Sequence, residues 1–521
     1  MHSKARLSLL IVAALISIVG ILGTLWVRSR RHAPVPGSQE TNLDSAAFRA
    51  RVFAFCADCH AMPSPETFPR DGWFHEVKRG YEFYYESGRS DLDPPPQKDV
   101  FAYFRRQAPL KLSLPAVAPH SSIEKLKFRR DAVHLPFEGD AKGPAVAHLK
   151  WVDLDEPARA SALFLCDMRS GVHQEILFDA SHVEFGRRVV LRSPCHTEPT
   201  DLDRDGRVDF VVADLGSFLP EDHQRGRVIW LPNDDSAAPR PPVELATGLG
   251  RVADVRPGDF DGDGDIDLIV AEFGWHETGR VLLLRNHGMV HRVPQFETIV
   301  IDNRHGAIHV PVIDFDQDGR LDFVGLISQE HEVVELFLND GDTRFRRTLL
   351  FAANDPSFGS SGIELIDLDR DGDQDVLYTN GDTFDSFYLK PYHAVHWIEN
   401  READGWHDHL LARMPGVLRA LPGDLDRDGD LDIVATANVA DNLMSEHGTT
   451  PLDSLIWLEQ TAPGTFVRHA LERQACHHTA LEVADLDSDG DLDLAVGNFA
   501  RTPGADFTIW WNETPVPSVT E

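Results

Sequence analysis

The sequence predicts an all-β fold, a seven-bladed β-propeller, preceded by a small α-helical domain and one N-terminal transmembrane helix. Three observations predict it. An aspartate-rich segment recurs six times, at intervals of 53–61 residues. Short apolar runs follow each copy. Residues 1–31 hold an uncharged stretch long enough to cross a bilayer. With 521 residues and 42% hydrophobic side chains, the chain fills one large repeat domain and a small one. Its formal charge of −34 excludes nucleic acid as a partner, because a phosphate backbone repels such a surface. The aspartates recur in clusters along the body rather than in a tail, and that distribution points to cation binding.

The first element is the stretch from Leu7 to Val27, preceded by Lys4 and Arg6 and followed by Arg28, Arg30 and Arg31. As a helix it spans about 31 Å. Its Gly23-Thr24-Leu25-Trp26-Val27-Arg28 end offers no small-x-small cleavage site, so residues 1–31 are expected to remain as a signal anchor tied to the membrane. Basic residues flank both ends and do not fix the orientation. Residues 32–45 read as a linker.

The second element opens with Cys56-Ala-Asp-Cys59-His60. This is the attachment pattern of c-type haem, in which two thiols form thioethers and the histidine ligates iron. That chemistry belongs outside the cytoplasm, which places the bulk of the chain in the periplasm or cell envelope of a bacterium. Gln97–Gln107 reads as a closing helix. With Ala61-Met62-Pro63-Ser64-Pro65 and Pro69-Arg70-Asp71-Gly72-Trp73, the segment resembles the short cytochrome c-like domain ahead of propellers in some bacterial envelope proteins. The resemblance implies covalent haem c over residues 46–110, held by Cys56, Cys59 and His60. No methionine lies between Trp73 and Phe104, and Met62 is too close to His60 to reach the opposite iron face. The sixth position is therefore open or taken by His75, unless His75 simply lies on the wet side of a helix. Residues 111–125 form a second linker. Cys166, Cys195 and Cys476 allow at most one disulfide.

The propeller, residues 126–516 with a short tail at 517–521, is carried by the repeats. Aspartates occupy positions 1, 3, 5 and 9 of each copy: Asp201, Asp203, Asp205 and Asp209; Asp259, Asp261, Asp263 and Asp267; Asp314, Asp316, Asp318 and Asp322; Asp367, Asp369, Asp371 and Asp375; Asp424, Asp426, Asp428 and Asp432; Asp485, Asp487, Asp489 and Asp493. A β-rich run leaves each loop, as at Phe210–Ala213 and Leu268–Ala271, and further apolar runs follow, so that each repeat makes four short antiparallel strands. Val146–Asp155 looks like the same opening with its loop decayed, which gives a seventh blade. The last repeat has only three strands, ending at Phe507–Asn512, and Leu126–Val133 is expected to supply the fourth, because an open ring would leave unpaired edges.

Four carboxylates around a glycine at position 6 make a tight turn in which oxygens converge. Calcium suits them as a hard cation that takes six to eight oxygens, and without an ion the carboxylates repel by several kcal/mol per pair. The loops are not EF-hands, since position 12 is Val212, Val270, Gly325, Tyr378, Ala435 and Val496 rather than glutamate. They resemble the loops of FG-GAP or VCBS repeats, the integrin α-subunit type of propeller, over roughly residues 145–515. That resemblance implies up to six Ca2+ ions, with the backbone carbonyls of Arg207, Asp265, Arg320, Asp373, Asp430 and Asp491 as further ligands, and a structural role for the ions in clamping hairpins.

The residues just before each loop lie on the innermost strand of a blade. They include Cys195, His196, Arg251, Asp254, His309, Ser361, Arg419, Cys476, His477 and His478, with His393 a further candidate, and they suggest a hydrophilic channel mouth that is either simply solvated or a metal or substrate site. No nucleophile elbow, P-loop or zinc-protease motif occurs. The expected function is electron transfer near the membrane by a haem c protein whose propeller is a platform for an unidentified redox partner, protein or glycan. The alternatives are a dehydrogenase in the propeller channel that passes electrons to the haem, and an adhesive or glycan-binding propeller without a redox role.

Overall fold

The computed structural model describes residues 41–115, 125–136, 143–156, 159–179, 182–233, 239–384, 386–401, 404–447 and 451–515. The expected anchor at Leu7–Val27 lies outside these residues. Among the described residues no helix is long and apolar enough to cross a membrane. Residues 41–55 and 77–103 group into one unit, and 56–76 with 104–515 into another.

Three short helices, Ala46–Cys56, Trp73–Glu86 and Gln97–Gln107, occupy the segment expected to be a small domain. The third stands where the sequence places it, after Pro94-Pro95-Pro96, whose missing N–H groups and fixed φ suit a helix entry. Within the first unit Phe55 packs on Tyr81 and Tyr84, and the Tyr81 hydroxyl donates to the Pro95 carbonyl. A cytochrome c-like fold is not evident from these helices.

The second unit is a seven-bladed propeller. Six sheets follow one another in sequence order, each from four consecutive strand segments, except that the first strand of blade 4 is split into Ala307–His309 and Val312–Ile313. Pro311 falls in that break, where its missing N–H cannot serve the ladder. The seventh sheet closes the ring as the sequence predicts: Phe128–Val133 pairs antiparallel with Phe507–Asn512 from Phe128 opposite Asn512 to Val133 opposite Phe507. Trp511 holds this seam by donating to Asp131, with the Arg129 guanidinium over its ring. The innermost strands contact one another in a closed circuit, blade 1 to blade 2 and on round to blade 7 and blade 1.

Seven apolar cores sit between successive blades, one at each interface. Second strands are therefore covered on both faces and read as continuous apolar runs, as in Asp209–Asp214 and Asp267–Glu272, where every residue is buried. Outer strands such as Thr465–Arg473 keep alternating, half-exposed faces.

Candidate functional site

All six aspartate loops join the first strand of a blade to its second, and they share one backbone plan. Position 2 is apolar and anchors the turn, with Leu202, Phe260, Leu368, Leu425 and Leu486 buried. Position 4 takes the left-handed conformation in Arg204, Gly262, Gln317, Arg370, Arg427 and Ser488, and the glycine at position 6 has φ of 86–100°. Around Gly206, Gly319, Gly372, Gly429 and Gly490 a Cβ would meet nothing, so glycine is required there for its backbone angle and not for space. In each loop the position-6 N–H donates to the first aspartate, as Gly206 does to Asp201 at 3.0 Å and Gly490 to Asp485 at 3.0 Å. The N–H of position 7 donates to the aspartate at position 5, as from Arg207 to Asp205, Asp265 to Asp263 and Asp373 to Asp371.

Position 9 is the most constrained. Asp209, Asp267, Asp322, Asp375, Asp432 and Asp493 are all buried. Each accepts the position-2 N–H on one oxygen and, on the other, the N–H of the residue two places past the last third-strand residue paired with the second strand. Those residues are Asn233, Asn286, Asn339, Asn400, Gln460 and Asn512. This recurring amide side chain is a feature that sequence reading missed, although it is visible as an asparagine or glutamine at one register position of every loop-bearing repeat. Burial pushes the carboxyl of Asp209, Asp267 and Asp375 up to about 6, and that of Asp432 and Asp493 to about 7.

Donor oxygens of Asp201, Asp203 and Asp209 lie within 4.8 Å of one another, as do those of Asp259, Asp261 and Asp263, of Asp314, Asp316 and Asp322, and of Asp367, Asp369 and Asp371. The Oδ1 atoms of Asp203, Asp367, Asp424, Asp426, Asp430 and Asp491 are buried with no hydrogen-bond partner. A desolvated carboxylate oxygen without a donor is costly, and a hard divalent cation supplies what is missing. The loops therefore fit calcium. Arg240 at 3.0 Å from Asp203 and Arg285 at 2.6 Å from Asp261 offset part of the charge, while Arg204 on Asp265 and Arg427 on Asp491 tie neighbouring loops together.

The FG-GAP-like repeat profile matches residues 201–270 and 314–378, which contain four of the six loops. The chain carries FG-GAP-like repeats. No curated protein matches it.

In the centre of this FG-GAP-like propeller, strand register sorts the polar residues into two layers. The innermost strands of six blades carry a β-bulge at the same place, between Val146 and His148, Pro194 and His196, Val252 and Asp254, Ala307 and His309, Val417 and Arg419, and His478 and Ala480. A bulge re-aims the side chain that follows it. The layer farther from the aspartate loops holds His148, His196, Asp254, His309 and Arg419. Two residues along each strand, a second layer holds Lys150, Glu198, Arg256, Glu364 and Glu482. Within these layers His196 Nε2 lies 2.8 Å from Glu198 and 3.0 Å from Asp254, Arg256 bridges Glu198 and Asp254, and Arg419 pairs with Glu364. Burial opposes ionisation of Asp254, but Arg256 and His196 more than offset it and hold its carboxyl well below the usual range. Burial pushes Glu482 up to about 7.

Of the residues read from the sequence as channel-facing, His196, Asp254, His309 and Arg419 meet here. The others do not. Cys195 packs toward the Val252 carbonyl, Ser361 donates to the Val417 carbonyl, and Arg251 covers Phe273. Cys476 is buried near Ser454, His478 bonds Glu472 and Asn498, and His477 lies 3.8 Å from Asp441. His393 accepts the Gly416 N–H in a loop. Sequence reading missed His148, Lys150, Glu198, Arg256, Glu364 and Glu482; alternation from the named residues would have found several, but the bulge interrupts the period.

Phe218 of blade 2, Phe384 of blade 5 and Phe499 of blade 7 share one aromatic cluster, with the Arg169 guanidinium of blade 1 on Phe218 and Phe499. These are all loops between second and third strands, on the face opposite the aspartate loops. Blades 2, 5 and 7 are not neighbours, so their loops reach one another across the mouth of the channel.

Cys56 ends the helix Ala46–Cys56, and none of the five cysteines is in a disulfide. Burial pushes the Cys56 thiol up to about 12. His60 Nδ1 lies 2.8 Å from the Ala61 carbonyl, an arrangement that puts the proton on Nδ1 and leaves the Nε2 lone pair for a metal. Two thiols outside any disulfide and an oriented imidazole fit haem attachment. The residues that follow are pinned to the propeller: Ser64 N–H and the Thr67 hydroxyl donate to Asp355, and Phe68 packs on Tyr388 with the Lys390 ammonium 4.8 Å from its ring centre. His75 is exposed, against Phe74.

Proposed function

We propose that this chain is a membrane-anchored haem c protein of the bacterial periplasm or cell envelope, whose calcium-clamped FG-GAP-like propeller is a rigid platform for a redox partner or a protein or glycan ligand. The observation that carries the reading is the oriented His60 imidazole beside two thiols outside any disulfide, on a segment fastened through Asp355 to the connection between blades 4 and 5. Cys56 and Cys59 would hold the haem and His60 would ligate its iron. A haem bound there supplies a one-electron redox centre. The protein contributes position: the Ala61 backbone carbonyl fixes the His60 ring, and the Ser64 N–H and Thr67 hydroxyl bonds to Asp355 keep the segment on the propeller. The anchor at residues 7–27 would hold the whole at the membrane surface.

The test is an absorption spectrum of the full-length protein recovered from the cell envelope, with and without reductant. A Soret band that sharpens on reduction, from a haem that stays with the denatured polypeptide, is the expected result. Lack of any Soret band in protein exported with its haem-attachment machinery rejects the redox role and leaves an adhesive propeller. Reduction of the haem by an added small substrate would favour an enzyme in the channel.

A further inference from the structure

The channel holds a group of side chains that neither the calcium loops nor the cysteine motif uses. Four consecutive blades place His148, His196, Asp254 and His309 side by side, each just after its strand's bulge. The rings of His148 and His196 are 4.0 Å apart, His196 lies 3.0 Å from Asp254, and His309 Nδ1 is 3.8 Å from the far oxygen of Asp254. Glu198 joins from the layer below, and one ligand atom each from His148, His196 and Glu198 lie within 4.8 Å of one another.

From this geometry we infer that the propeller channel contains a binding site for a borderline-soft divalent ion of the zinc class, with His148, His196 and Glu198 as its protein ligands. Two imidazoles and one carboxylate form a donor set that zinc takes with a fourth position left open, whereas calcium prefers oxygen alone. Each ligand offers what coordination needs. His148 Nδ1 accepts the Thr197 N–H at the long distance of 3.3 Å, a weak bond that an ion on that lone pair replaces. Glu198 carries His196 and Arg256 on Oε1, and Lys150 lies at the long distance of 3.6 Å from Oε2. Asp254 spends its oxygens on Arg256, His196 and the Val310 N–H, and so serves as a positioning residue that fixes the His196 ring, as carboxylates do behind metal-bound histidines. Independently, His309 Nδ1 is buried without a hydrogen bond beside this group. Its contact there is with Asp254 Oδ2 at 3.8 Å.

The experiment uses full-length protein kept in excess calcium, so that the aspartate loops are filled, and then equilibrated with Zn2+. One tightly held zinc per chain is expected by elemental analysis. Its X-ray absorption edge should report a nitrogen and oxygen shell with imidazole scattering and no sulfur, which separates the channel from any zinc taken by Cys56 and Cys59. Asp254→Asn should weaken binding about tenfold, as loss of a carboxylate behind a metal-bound histidine does, and His148→Ala with His196→Ala should abolish it. Glu198→Gln, nearly isosteric, is the second variant should the histidine pair fail to fold. No tightly bound zinc in the wild-type protein, a sulfur-containing shell, or retention of zinc by the Glu198→Gln protein at wild-type affinity would each overturn the inference.

Discussion

The aspartate at position 9 of each loop fixes strand geometry and, under the proposed function, would also face the bound ion. Its two oxygens bind the turn to the end of the third strand, and its burial raises its pKa to about 6 or 7 in five loops. Without metal, the folded state therefore holds more protons than the unfolded state between the ordinary carboxylate range near about 4 and those values. The sign follows directly: the loop contribution to stability falls as pH rises through that window. Buried histidines such as His148, His173 and His393, whose pKa values burial lowers, act the other way, but they act equally with and without calcium. The stabilisation conferred by calcium, measured as the difference in Tm between calcium and chelator, should therefore widen from pH 5 to pH 7. A gap that stays constant or narrows over that range would contradict the assignment of these aspartates.

At the scale of the element, closure of the ring rests on a strand from one end of the propeller sequence completing a blade from the other. Phe507 lies fully buried opposite Val133 in that seam. Phe507→Ala should cost about 3–5 kcal/mol in denaturant unfolding, as large-to-small core changes do, whereas Val190→Ala, at a side chain 68% exposed, should stay within about 0.5 kcal/mol. Equal effects at the two positions would mean that the seam carries no load. This pairing was legible because the last repeat is one strand short and Phe128–Val133 is the apolar-bearing run left over upstream of the first blade. The innermost strands were less legible. Their bulges shift the facing by one residue, so Cys195 and His196 could not be told apart as inward or outward from alternation alone, and Glu198 and Arg256 went unnoticed.

Across the whole molecule, the repeat period conveyed most of the architecture, because each copy builds the same hairpin and the same pair of interblade contacts. Even the decayed first repeat could be placed, since Val146–Glu156 pairs with Arg159–Asp167 without any aspartate loop. What the repeat could not convey is chemistry that different blades assemble jointly. His148 belongs to blade 1, His196 and Glu198 to blade 2 and His309 to blade 4; no local motif joins them, and only closure of the ring does. The aromatic cluster of Phe218, Phe384 and Phe499 is hidden in the same way, being drawn from three separate loops.

The loops tie the account together, since each blade beyond the first turns on one of them. Ions bound only to the folded state stabilise it by mass action. Thermal unfolding of the purified protein at neutral pH, in millimolar calcium and in excess chelator, tests this most directly. A large fall in Tm on chelation, restored by added calcium, is the predicted result; the same midpoint in both conditions would contradict it.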